Sequence, residues 1–157
     1  MLVLSEEDVR RSVDMSAAIG AVRRAFERLS YGRAQVPVRR ALTGEGGDVL
    51  FMPGRLDGPA RIGAKAVSVY PGNADRGLEP VNATMLLVDP ETGRPRALLA
   101  GNHLTALRTG AASGVATDLL AREDASVLAL FGAGTQARTQ LAPGLRWPGR
   151  GARDARE

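Results

Sequence analysis

Cysteine is absent, which excludes disulfides, thiolate metal sites and cysteine nucleophiles together. No metal site is expected. Aromatic residues make up only 4% of the chain, too few for the stacking platforms that hold single-stranded nucleic acid. No apolar run approaches the roughly 20 residues that a membrane-spanning helix requires, so no membrane association is expected. The start, Met1-Leu2-Val3-Leu4, runs straight into Ser5-Glu6-Glu7-Asp8. It lacks the basic region and small-residue cleavage site of a signal peptide, and the expected compartment is the cytoplasm. Lysine is nearly absent as well: of 21 lysine and arginine residues, one, Lys65, is a lysine. Where arginine is the default cation, a lysine kept inside an apolar stretch argues that a primary amine is needed there. Survival by chance is the competing explanation.

What is present fits a soluble globular protein, with 44% hydrophobic and 24% charged residues. A length of 157 residues suffices for one domain and a fragment of a second. The net charge of +4 raises the question of nucleic-acid binding. The basic residues are scattered and interleaved with acids, however, so the charge reflects arginine usage and no nucleic-acid partner is expected.

Ser5, with Asp8 three residues on, predicts a helix start and a short helix to about Ser12. A second start lies at Asp14 or Ser16. Ala18, Val22, Ala25, Phe26 and Leu29 then recur at helical spacing until Gly32. From Gln35 the pattern turns to strands: Val36 to Leu42, Asp48 to Met52 stopped by Pro53-Gly54, Arg61 to Tyr70, Val81 to Val88, and Arg96 to Ala100 after the turn Asp89-Pro90-Glu91-Thr92-Gly93. Short turns between successive strands imply a mainly antiparallel sheet. Ala106 to Ala121 predicts a buried helix. Ser126 to Phe131 reads as a short buried strand, followed by a glycine turn and a helix from Arg138 to Ala142. From Pro143 the pattern stops, and the tail to Glu157 is expected to be disordered.

Three constellations carry chemistry. Gly132-Ala133-Gly134-Thr135-Gln136-Ala137, between an apolar run and a helix, has the Gly-x-Gly-x-x-Ala spacing that lets a backbone approach a pyrophosphate at a helix N-terminus; an ordinary strand-to-helix turn is the alternative. The acidic residue usually found about 20 positions on is not supplied by Asp154, because no strand precedes it. Lys65 alternates onto the face of Val67 and Val69, where an ammonium calls for an anion such as a substrate carboxylate. Arg108-Thr109, at the start of the Ala-rich helix, together with Arg39 or Arg40, offers guanidinium groups for a carboxylate clamp, although each arginine taken singly is more simply a solvated side chain.

These residues resemble the ornithine cyclodeaminase/μ-crystallin family. The matching stretches include Val36-Pro37-Val38-Arg39, Phe51-Met52-Pro53-Gly54, Gly63 to Asn73 around Lys65, Leu87 to Gly93, Leu104 to Ser113 and Gly132 to Ala137, in family order from Met1 to about Leu141. The resemblance implies an α/β protein. An N-terminal α+β substrate-binding and dimerisation domain with a mainly antiparallel sheet (1–123) would be followed by the first strand, Gly-rich turn and partial helix of an incomplete Rossmann NAD(P)-binding domain (124–142). Residues 143–157 would be a tail foreign to the family, as an out-of-frame end would give.

It further implies a homodimer and a small amino-acid or imino-acid substrate held or polarised by Arg39, Lys65 and Arg108, with Lys65 as the catalytic amine. NAD (or NADP) would contact Thr109, Gly132, Ala133, Gly134, Thr135 and Gln136. The implied reaction is conversion of L-ornithine to L-proline with ammonia release. Relatives act instead as alanine dehydrogenases or ketimine reductases, or as non-catalytic μ-crystallin-like binding proteins. Glu79-Pro80-Val81 departs from the family's Thr or Ser, the family carboxylate near Leu50 is missing, and the catalytic aspartate belongs to a later Rossmann segment. The chain alone is therefore expected to be inactive and to bind NAD weakly or not at all.

Overall fold

The structure, a computed structural model, describes residues 1–58 and 60–142. They divide into two compact units: Met1–Ser12 with Ala25–Thr105, and Val13–Arg24 with Ala106 onward. In chain order the elements are β1 (Leu2–Leu4), α1 (Glu6–Ser12), α2 (Met15–Ser30), β2 (Ala34–Gln35), β3 (Arg40–Gly44), β4 (Gly47–Leu56), β5 (Arg61–Val69), a 3-10 turn (Pro71–Arg76), β6 (Val81–Val88), β7 (Pro95–Ala100), α3 (Asn102–Leu120) and α4 (Thr135–Gln140). The protein is thus a mixed α/β structure. No helix among the described residues is long and apolar enough to cross a membrane.

The first unit holds one seven-stranded sheet in the order β1-β7-β6-β5-β4-β2, with β3 also paired to β4. All pairings are antiparallel except β1 with β7, in keeping with the short turns between strands. Ser5 starts α1 as a capping box: its Oγ accepts from Asp8 N at 3.2 Å, and Asp8 Oδ2 accepts from Ser5 N at 3.0 Å. Hydrogen bonds from Ser5, first from its hydroxyl and then from its amide, hold the Asp8 carboxyl below the usual range. Gly32, at φ 67, closes α2, with Arg33 N donating to Arg28 O. In the β6–β7 turn Asp89 Oδ1 accepts from Thr92 N at 2.9 Å and Glu91 N at 3.1 Å. Buried Val67, Ala83 and Ala97 lie on one face by register, Val67 opposite Ala83 on β5–β6 and Ala97 opposite Leu87 on β6–β7. That face is the sheet's contribution to the core, and buried Val9 sits on α1, which lies against β1 and β7.

In the second unit, Asp14 Oδ1 accepts from Ala17 N at 2.8 Å and caps α2, whose Met15 and Ala18 are buried. On α3 the buried residues Ala106, Leu107, Gly110, Ala111, Gly114 and Val115 recur every three to four positions and form one continuous stripe. Arg23 pairs with Asp118.

Several expectations are corrected. Val36 to Arg39 lies outside any strand, because Pro37 has no N–H for a ladder and restricts the residue before it; pairing begins at Arg40. Pro53-Gly54 does not stop β4, which runs to Leu56. On its outer flank β3 pairs only as far as Phe51 and β2 begins at Arg55, so a proline can sit in the gap where no outer partner needs an N–H. The Ala-rich helix begins at Asn102, earlier than expected. Ser126 to Phe131 is neither a strand nor buried: Val127 is 88% and Phe131 95% exposed. Among the described residues no strand pairs with it, and an apolar run becomes a strand only where a ladder partner is present. The expected tail, 143–157, lies outside the described residues.

Candidate functional site

Lys65 stands near the middle of β5, a strand paired on both sides. It is opposite Met52 on β4 and Met85 on β6, and Met85 in turn is opposite Leu99 on β7. The alternation of β5 puts Lys65 on the face of buried Val67. The lysine is half-buried. The apolar row gives the four-carbon stem a surface to pack against.

The same register separates the two arginine candidates. Arg40 opens β3 opposite Phe51, and Phe51 opposes Ala66, so Arg40 occupies the row next to that of Lys65 and the opposite face of the sheet. Arg39 is the position immediately before, beside the Met52–Lys65 row, and it is exposed.

Arg108, Thr109 and the Gly132–Gln136 turn belong to the second unit. Arg108 is exposed and Thr109 half-buried on α3. Next to them, Gly110 lies close against α4: a β-carbon there would fall 2.8 Å from the carbonyl carbon of Thr139 and 2.9 Å from its Cβ. The segment carrying Arg108 and Thr109 is thereby brought against the helix that follows the glycine turn. Gly132 has φ 94, which side chains rarely adopt, and Gly134 is the N-cap of α4. At both glycines nothing among the described residues lies within 4 Å of where a β-carbon would be, which leaves room for a phosphate to approach the backbone there. All of Gly132 to Gln136 is exposed.

Sequence reasoning missed Asn102. Its Oδ1 accepts from Ala83 N at 2.6 Å across 19 residues of chain, a partnership that no local pattern announces.

The profile of the ornithine cyclodeaminase/mu-crystallin family matches residues 1–143. Among curated relatives, an alanine dehydrogenase of Archaeoglobus fulgidus is 45% identical over 140 residues, 89% of this chain and 43% of that protein. A Thermococcus litoralis Δ1-pyrroline-2-carboxylate reductase, solved with NADH and L-proline, superposes with a TM-score of 0.85 at 48% identity over 90% of this chain and 44% of the other. An archaeal alanine dehydrogenase dimer with bound NAD gives 0.86 at 44% identity over 90% of this chain and 43% of that one. The chain thus spans somewhat under half the length of the relatives it matches. A profile match that spans all the described residues, with close structural agreement at high identity, leaves one conclusion: the chain belongs to the ornithine cyclodeaminase/mu-crystallin family.

Proposed function

We propose that this chain carries the substrate-holding and dinucleotide-receiving residues of an NAD(P)-linked oxidoreductase acting at the α-carbon of a small amino or imino acid, in the manner of an alanine dehydrogenase or Δ1-pyrroline-2-carboxylate reductase. The observation that supports it most is the sole lysine, half-buried in an apolar row on an interior strand. Lys65 with the guanidinium groups of Arg39 and Arg108 would hold the substrate carboxylate. Lys65 would also polarise the reacting end, as the catalytic amine. Thr109 and the backbone N–H groups of Gly132–Gln136 would receive the dinucleotide phosphates, and the open space at Gly132 and Gly134 fits that task. Bound NAD would supply the hydride exchange at the α-carbon. We further propose that residues 1–123 form the substrate-binding and dimerisation part and 124–142 the dinucleotide segment. The assembly would be a homodimer, with sedimentation equilibrium as its test.

The reaction that gives the family its name, L-ornithine to L-proline with loss of ammonia, is the second reading, since it begins with the same hydride step. A non-catalytic carboxylate-binding role is the third. Because one lysine is present, [ε-13C]lysine labelling yields one side-chain signal. L-proline or L-alanine should shift it saturably, while pyrrolidine, which lacks the carboxylate, should not. Equal responses to both, or none to either, would overturn the reading. With the later dinucleotide-binding segment supplied, net NADH formation from L-proline or L-alanine favours the oxidoreductase, ammonia release from L-ornithine without net NADH favours the cyclodeaminase, and substrate binding without turnover favours the third.

A further inference from the structure

We propose that Asn102 is a positioning residue for Lys65, acting through strand β6. The proposal rests on reading Lys65 as the anion-binding amine. The register pairs Thr84 with Ala100, so the next rung would join Ala83 and Gly101 by two hydrogen bonds. One exists: Gly101 N donates to Ala83 O at 2.8 Å. The other is missing, because the Gly101 carbonyl has turned away to accept from Thr105 N at 2.8 Å as the first bond of α3. Asn102 Oδ1 takes its place and accepts from Ala83 N at 2.6 Å. One side-chain amide thus lets the chain leave the sheet and start a helix within a single residue, without stranding a buried N–H. The fit is close, since a β-carbon on Gly101 would sit 3.1 Å from the Ala83 carbonyl oxygen.

The rung matters because of where it falls. Ala83 is 8% exposed and opposes Val67, itself 8% exposed. Two residues on, Met85 opposes Lys65. Asn102 therefore fixes β6 one same-face step from the methionine that flanks the lysine stem. Neighbouring His103 feels the charges of Arg10 and Glu6 of α1, whereas the bond to Ala83 N is made by the Asn102 amide. A carboxylate at 102 could accept the same hydrogen bond, and a methyl group could not.

The test uses the full chain labelled with [ε-13C]lysine and 15N, as wild type, Asn102→Ala, Asn102→Asp and Asp89→Ala. The last loosens the β6–β7 turn at its other end and serves as a control for general destabilisation. Expected for Asn102→Ala are amide exchange at Ala83 faster by about tenfold or more and a displaced or broadened Lys65 signal. Asn102→Asp should restore both, and Asp89→Ala should leave the Lys65 signal in place. If Asn102→Ala fails to fold, Asn102→Asp carries the test by retaining the wild-type Lys65 signal. A Lys65 signal unchanged in Asn102→Ala, changed in Asn102→Asp as well, or moved equally by Asp89→Ala would overturn the proposal. These signals are read without ligand. A wild-type Lys65 signal indifferent to L-proline would count against the substrate reading alone.

Discussion

Replacing Lys65 by methionine separates anion binding from sheet stability. The residue lies between Met52 and Met85, so a thioether of similar reach completes an apolar row. Removing a half-buried ammonium relieves its desolvation and abolishes its electrostatic contacts. At a partly exposed site each effect is on the order of 1 kcal/mol, and they oppose one another. Folding stability should therefore change by less than about 1 kcal/mol, or about 2–4 °C in melting temperature for a chain of this size. Binding should respond more strongly. A hydrogen bond between charged groups contributes about 1.5–3 kcal/mol, which is roughly 10- to 100-fold in Kd. Titration calorimetry with L-proline at fixed ionic strength, beside thermal melts, measures both. Lys65→Arg should not restore affinity, because a planar fork cannot occupy the place of a compact ammonium. An unchanged Kd in Lys65→Met would refute the anion-binding role. A melting temperature lower by more than about 10 °C would recast the lysine as a structural residue.

Two further outcomes are expected. Burial, and next the charge of Arg10, hold His103 below its ordinary value of 6.5, with Glu6 opposing. The unfolded chain then takes up a proton more readily, so this contribution is complete above pH 6.5 and is lost as pH falls from there toward the folded-state value; His103→Gln should flatten that part of the melting-temperature profile, and NMR of the one histidine should titrate below its free value. Asp14→Ala removes the acceptor of the Ala17 N–H and should cost about 1 kcal/mol, read as a lower denaturation midpoint with an unchanged m-value.

The legible parts of the fold were those in which the deciding partner is close in sequence. Ser5 with Asp8, Asp14 with Ala17, and Asp89 with Thr92 are three residues apart, and these contacts set the starts of α1 and α2 and the β6–β7 turn near where the residues predict them. The strands on either side of Lys65 are joined to β5 through connections within the same stretch of chain, so local alternation sufficed to place Lys65 with Val67. β1 escaped notice because three residues show no period and its partner β7 begins at Pro95. Pro53-Gly54 misled for a related reason. A proline interrupts a strand only where an N–H is required, and that requirement depends on whether β3 or β2 lies alongside, a question of register and not of composition.

The same distinction governs the site. Lys65 stood out because composition singled it out, and the glycine turn because its spacing lies within six residues. Asn102 gave no signal: its meaning depends on Ala83, and in isolation it is one more polar residue at a helix start. Ser126 to Phe131 is the converse case, an apolar run that satisfies every local criterion for a strand and yet pairs with nothing among the described residues. Antiparallel neighbours arrive through short turns, whereas parallel ones need a crossover of a dozen residues or more, so the same hydrophobic text commits one segment to a ladder and leaves the other without one. Extended conformation is a property of the segment, but strand identity is a property of the pair. For that reason the amine in the middle of β5 could be located from its own neighbourhood, while the amide that steadies β6 beside it could be recognised only once the rung between Ala83 and Gly101 was seen to be half made of side chain.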